Sequence, residues 1–585
     1  MISRPLIFIM PLVLVLITAG TTAHEYTRSA YLKTLRLAQV QAQLEAERAP
    51  TPDQAESACR LTIELRIDSQ PNPMAGLIRI TDLATGKPLS FATLISRDKH
   101  WYVISGRTPL LLPKTKIQIE AFHGLTTQVS TQIEDLTNKS DSSLVIALKT
   151  FYDPAKRNLV AGNTHLHLMK LTRAEATHYL ETVPRADGLD LVFLSYLIRP
   201  SEDQNYISNT FSKTDLGALS RDGLLFGNGE EHRHNFDIKG EGHGHAYGEG
   251  YGHVMFLDLL RKIEPASLGS GIMGAGSDGT PLQKGVREAR GDGATIIWCH
   301  NKFGHEDIPN WVEGLVDAQN IFDGSAIGSY YDTFYRYLNL GMRVPFSTGT
   351  DWFITDFSRV YVPINGEITV KRWLAALAEG KSSITNGVFL EFDVERVSQP
   401  KSGSTKSNET GRTFQPGSAI YARSGEELVI TARAVGRNDF KRLELVQNAR
   451  VINSVTDTGK QGYFEATMKV HLKTTEPGWI AVRIPTDIPS PENSAGTSRV
   501  ANKVGGVDEF GMPLFAHTSP IYIEVDGHRI FQTKVANGLI AEMEDSMKTI
   551  VKQGAFANND ERESVLTVYR TGISRVRNMI DASRK

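Results

Sequence analysis

Residues 161–170 read AGNTHLHLMK, and the histidines at 165 and 167 have the type and spacing that metal chemistry uses. Alternate side chains of a strand share a face, so His165 and His167 point one way while Leu166 and Leu168 point the other. Such a pair needs partners, and four further sites place a His or a carboxylate at the edge of an apolar run. They are Glu230 and Glu231 in LLFGNGEEHRH, His253 in GYGHVMFLDL, His300 in ATIIWCHNKFGHED and Asp351 in VPFSTGTDWF. The resulting mixture of nitrogen and oxygen donors suits Zn, Mn or Fe better than Ca or Mg. Two divalent ions about 3.5–4 Å apart require a bridging carboxylate, neutral imidazoles and positions left open for water and substrate.

Neighbouring groups extend the set. His305, Glu306 and Asp307 closely follow His300 and can supply a substrate contact or a proton relay, with His305 as the donor to a leaving group. Lys302 is the obvious cation beside His300. His232, His234, His243 and His245 fall in a Gly-rich insertion read as a solvated loop, and Asp278 in GSDGTP reads as a helix N-cap. Cys299 would be a core residue pointing away from whatever His300 faces, and Cys59 an unpaired surface or linker residue.

The elements around these residues change character along the chain. Residues 1–23 have the basic, apolar and small-residue plan of a secretory signal peptide, with cleavage near Ala23, which predicts a secreted or periplasmic protein. An Ala-, Leu- and Glu-rich stretch at 24–54 reads as a helical linker. Short alternating runs over 55–152 predict an N-terminal β-sandwich. Over 153–392 apolar runs alternate with helical patterns, as in parallel strands of an α/β barrel or layered fold, where ligands gather at the strand C-termini. Residues 393–530 return to β patterning as a second sandwich, and 531–585 read as two amphipathic helices joined by a turn near AFANN.

The order of the motifs resembles the PHP (polymerase and histidinol phosphatase) superfamily, and within it the CehA/McbA-type metallohydrolases. The resemblance rests on GNTHLHL, on GEE followed by GHVMFL, on GATIIWCH, GLVDAQNIFDGS and STGTD, and on SRVYVPINGEITVKRWLAALAEGKSSITNG. It implies a distorted (β/α)7 barrel with the metal site at the strand C-termini. One metal would be held by His165, His167, Glu231 and Asp351, and Glu231 would bridge to a second held also by His253 and His300. Glu231 is preferred to Glu230 because the family places its glutamate two positions after a glycine, here Gly229. The pattern also has a DH ending the next strand and a His two residues after the last Asp. Here Tyr196, Leu197 and Phe353 stand there, so the third metal site is expected to be absent.

Function follows as an expectation: a secreted hydrolase with two Zn, Mn or Fe ions, cleaving an ester, carbamate, amide or phosphoester bond in a small-molecule or carbohydrate-like substrate. Lysines and arginines number 64 against 66 acidic residues, so no global basic field recruits nucleic acid. No later segment is long and apolar enough to span a membrane. The thin cationic lining around His300 favours uncharged or carboxyl-type substrates. A different reading is a barrel that has lost catalysis and binds carbohydrate or protein at a surface. An amidohydrolase would want a bridging lysine at a strand end, and none is convincingly placed.

Overall fold

A computed structural model describes residues 58–67, 72–198, 206–237, 247–273, 277–302, 304–323, 328–397, 412–488 and 504–584. The signal peptide and helical linker read from the sequence lie outside these residues, as do His243 and His245. No helix among the described residues is long and apolar enough to cross a membrane.

The site is carried by one long, strongly curled mixed sheet. Its first strands are β1 (Leu159–His167), β2 (Leu191–Tyr196), β3 (Leu225–Asp237), β4 (Tyr247–Leu257), β5 (Thr295–Cys299) and β6 (Ala318–Asn320). β1, β2 and β3 pair in parallel, as do β5 and β6. β4 runs antiparallel to both β3 and β5, so the sheet is not the all-parallel one expected from the sequence rhythm. An antiparallel neighbour needs no crossover helix, and β4 is the next described strand after β3.

The next run brings the far end of the sheet back to its start. β7 (Phe346–Ser347) pairs with β6, and β8 (Asp351–Trp352) pairs with the end of β1. Asn163 fixes this register, donating to Thr350 Oγ1 at 2.8 Å while its own Oδ1 accepts from the His165 amide at 3.1 Å. Gly349 is required by space, since a Cβ there would stand 2.6 Å from His165 Cβ.

The flanking β modules are docked on this sheet. Two sheets built around Ala58–Ile67 and Gly76–Asp82 share a core of Leu61, Ile63, Ile78, Ile80, Ile117 and Ile146. Cys59 belongs to that core and is fully buried, which corrects its expected surface or linker position. In the C-terminal module Val388–Arg396, Glu426–Gly436 and Phe464–Thr474 form an antiparallel sheet. The strand Ser383–Thr385 pairs both with Arg359–Pro363 and with Ala516–Thr518, which joins this module to the curled sheet. The helices Thr533–Gln553 and Asn559–Ser583 bury Leu539, Met543, Val565, Tyr569 and Ile573 in the same core as β4 and β5.

Candidate metal centre

Strand alternation decides which residues of β3 reach the inside of the curl. Glu231 faces His167 and His253, whereas Glu230 faces the opposite side and accepts the Ile263 amide at 3.0 Å. His232 and His234 share the Glu230 face and are buried rather than solvated, because β3 continues to Asp237 instead of ending in a loop. His232 lies under Gly285 of the helix Leu282–Gly291, and His234 bonds Asp278 at 3.1 Å.

The six residues named from the sequence come together inside the curl. His165, His167, Glu231 and Asp351 present ligand atoms that all lie within 4.8 Å of one another, and so do Glu231, His253 and His300. Each of the six is at most 6% exposed. In the first set His167 Nε2 is 3.0 Å from His165 Nε2 and 3.1 Å from Glu231 Oε2, and Asp351 Oδ1 is 3.3 Å from His165 Nε2. In the second, Glu231 Oε1 is 2.9 Å from His253 Nδ1 and 3.7 Å from His300 Nε2. Glu231 therefore divides its two oxygens between two groups of donors.

The outer nitrogens explain why the inner ones are available. His167 Nδ1 donates to the Ser195 carbonyl at 3.0 Å and His300 Nδ1 to the Asp323 carbonyl at 2.8 Å. His165 Nδ1 bonds the Asp323 carboxylate at 2.8 Å, and His253 Nε2 bonds Asn235 Oδ1 at 3.1 Å. In each neutral ring a proton committed to the outer acceptor leaves a lone pair on the inner nitrogen. Two imidazole lone pairs and two carboxylate oxygens then converge on one point, an arrangement that repels itself unless cations or protons stand between the donors. The donor set fits divalent transition metals.

Asp323 was not singled out from the sequence. It sits fully buried just after β6, takes a hydrogen bond from Asn320 Nδ2 at 2.7 Å, and steadies one histidine of each set. Asp323, Cys299, His165 and His300 form a third close group. Asp323 and His165 already meet at ordinary hydrogen-bond distance, so this group serves as the outer support of the other two. Cys299 does not point away from the His300 surroundings as expected, because β5 ends at Cys299 and its alternation stops there. Burial pushes the Cys299 thiol well above its ordinary range, and the nearby carboxylates add to that.

Backbone conformation also marks the site. Asp351 has φ 58°, and Asn301, Phe322 and Phe353 have φ 48°, 66° and 55°. Left-handed non-glycine residues cluster where surrounding structure over-determines an unfavourable conformation, often at functional sites. Phe353 packs edge-on against Tyr179.

The other sequence candidates serve the architecture. Lys302 reaches Glu542 at 3.7 Å, and His305 Nδ1 bonds Ser546 at 3.1 Å, so both face the penultimate helix. The cause is local: the amides of His305 and Glu306 bond the carbonyls of Gly250 and Tyr251, laying this segment along β4 and outside the cluster. Glu306 accepts the Leu282 and Gln283 amides at 3.1 and 2.7 Å and so caps the helix Leu282–Gly291. Burial pushes its pKa to about 8. Asp307 pairs with Arg336. Asp278, read as a cap for the helix that follows it, instead accepts the Ser270 and Ala555 amides at 2.9 and 2.7 Å.

Electrostatics couple metal uptake to protons. Burial disfavours a charged His300, but Asp323, Glu231 and Asp351 outweigh it and hold its pKa well above the ordinary value. His165 is raised in the same way, its burial outweighed by Asp351, Asp323 and Glu231. Burial opposes the Glu231 charge too, yet Arg233, His167 and His253 keep it well below the carboxylate range. Burial, reinforced by Arg233, holds His253 well below its usual value. In the metal-free protein, protons on His165 and His300 thus fill the space between the acceptors, and a metal must displace them. Metal affinity is expected to rise with pH through neutrality with release of protons, which calorimetry in buffers of different ionisation enthalpy measures. The raised histidines stabilise the metal-free fold fully below about pH 6.5, and that stabilisation is lost as pH climbs through their shifted values. The melting-temperature gap between metal-loaded and metal-free protein should therefore widen with rising pH. A gap that does not change, with no proton release, would contradict this coupling.

No protein-family model matches the chain, and no curated protein matches it.

Proposed function

We propose that the protein is a secreted or periplasmic metal-dependent hydrolase of PHP type, close in plan to the CehA/McbA enzymes, acting on a small substrate. The observation that carries this reading is the division of Glu231 between two buried donor sets whose histidines are each fixed from behind. The strand run that returns from β6 to β1 through β7 and β8 suits a distorted barrel. The basic, apolar and small-residue plan of residues 1–23, that of a signal peptide, supports the location.

A pair of Zn, Mn or Fe ions would supply an acidified water and polarise the bond to be cut. The protein's part is to hold that chemistry still and dry. His165, His167 and Asp351 would hold one ion, His253 and His300 the other, with Glu231 between them. Asp323, Asn235 and the Ser195 carbonyl fix the imidazole planes, and the surrounding apolar strands exclude bulk water, which strengthens each electrostatic contact. A barrel retained only as a binding surface would have no use for this second layer of hydrogen bonds.

The test is the transition-metal content of the purified chain by elemental mass spectrometry, without added metal, followed by ester, carbamate, amide and phosphoester substrates. About two ions per chain, with hydrolysis lost to a chelator and restored by metal, are the expected result. A chain that carries no metal and takes none up overturns the reading and leaves the binding-protein alternative.

A further inference from the structure

His300 and Asp323 stand at the same end of two neighbouring strands, and the residue after His300 ties them together. β5 and β6 run in parallel; His300 follows the last residue of β5, and Asp323 comes three residues after the end of β6. Asn301 bridges the two. Its amide donates to the Asn320 carbonyl at 3.1 Å, and its side-chain Oδ1 accepts the Phe322 amide at 2.9 Å. Its own carbonyl accepts from Gln319 Nε2, and Gln319 Oε1 takes the Trp311 indole proton at 2.7 Å. Gln319, Asn320 and Asp323 are fully buried, so these bonds are made away from bulk water.

The backbone shows why asparagine stands there. Asn301 has φ 48° and Phe322 φ 66°, both left-handed, and a bulky residue such as Phe322 holds that conformation only under outside constraint. Asparagine tolerates it better than most non-glycine residues, because its short amide can bond nearby backbone. Here Oδ1 bonds the backbone of the neighbouring turn, so one residue forms the turn after His300 and also holds the turn before Asp323. Asp323 in its turn steadies His165 with its carboxylate and His300 with its carbonyl. Both ligand sets therefore depend on a turn that Asn301 fastens.

Resting on the two-metal reading above, we infer that Asn301 is a positioning residue of the metal centre: by holding the Phe322 amide it fixes Asp323, so that His165 and His300 are aimed before metal arrives. Its role differs from that of the Asp323 carboxylate, which serves chiefly His165. Asn301 serves both sets, because it holds carboxylate and carbonyl of Asp323 alike.

The experiment measures the affinity of both ions in the full-length protein by chelator competition, with thermal melts on the same samples. His253→Ala, which lacks a ligand of the second set alone, identifies the step that belongs to each ion. Asn301→Gly accepts the left-handed backbone and deletes the acceptor; it is expected to release both ions at about tenfold lower chelator strength than wild type. Asn301→Asp keeps an oxygen for the Phe322 amide and is expected to hold both ions close to wild-type strength. In an Asp323→Ala background Asn301→Gly should cost the ion of the His165 set nothing further, while the ion of the His253 and His300 set still weakens. Wild-type affinity for both ions in Asn301→Gly, even with a lowered melting temperature, overturns the inference and leaves the metal centre standing. Asn301→Asp as weak as Asn301→Gly overturns it too, since the acceptor would then not matter. So does full additivity with Asp323→Ala at the His165 set, because Asn301 would not act through Asp323. Should the variants not fold, hydrogen exchange of the wild-type chain decides: the Phe322 amide is expected to be protected before metal is added, and rapid exchange there overturns the inference. Wild-type protein that takes up no metal fails the two-metal reading itself, and this inference with it.

Discussion

Glu231→Ala is expected to take the purified protein from about two bound ions per chain to nearly none, because this one side chain belongs to both ligand sets. Losing either His253 or Asp351 removes a ligand from one set, whereas losing Glu231 opens both. A metal pair contributes several kcal/mol of charge stabilisation, so hydrolysis should fall by a factor of about a thousand or more. Removing one partner of a buried charged group also costs about 3–5 kcal/mol of stability, here through Arg233 left beside an empty space. Glu231→Gln separates the effects: it keeps the volume and offers one acceptor oxygen but no charge. Elemental analysis and thermal melts of both variants decide the matter. Wild-type metal content in Glu231→Ala, with activity intact, would remove Glu231 from the site and with it the bridge.

The same residue shows where sequence reasoning reached and where it stopped. Glu231 could be preferred to Glu230 from its spacing after Gly229, and strand alternation gives the physical reason: the two point to opposite faces of β3. His165, His167, His253, His300 and Asp351 were legible because each stands beside an apolar run, which marks a buried strand with a polar group on it. His232 and His234 were misread because Gly and His composition suggested a solvated loop, while pairing with β4 extends the strand to Asp237. The antiparallel course of β4 was hidden because an apolar run carries no direction. Lys302, His305, Glu306 and Asp307 looked chemical by proximity to His300. Their partners, Glu542, Ser546, the amides of Leu282 and Gln283, and Arg336, are distant in sequence, so nothing local revealed them.

Asp323 is the clearest omission, and it supports the second large expected effect. It follows NIF in GLVDAQNIFDGS and lacks histidine neighbours in sequence, yet its carboxylate holds His165 and its carbonyl holds His300. Burial would raise its pKa, but His300 and His165 hold it below the usual carboxylate range, so it is ionised throughout the working pH range. Outer groups of this kind are worth about 10–100-fold in metal affinity each. The Asp323→Ala change removes the carboxylate from His165 and from the edge of His300 while keeping the backbone carbonyl, so the His165 set should lose more affinity than the His253 and His300 set. In chelator competition the first ion to leave should do so at about 10–100-fold lower chelator strength than in wild type, with the second displaced less. Asp323→Asn keeps an acceptor for His165 Nδ1 and should recover part of the loss; recovery to wild-type affinity would show that geometry alone matters, and none that the charge does. Equal affinities in wild type and Asp323→Ala would mean that His165 is held in place by the strand and its own packing, and that the outer carboxylate contributes nothing to the metal centre.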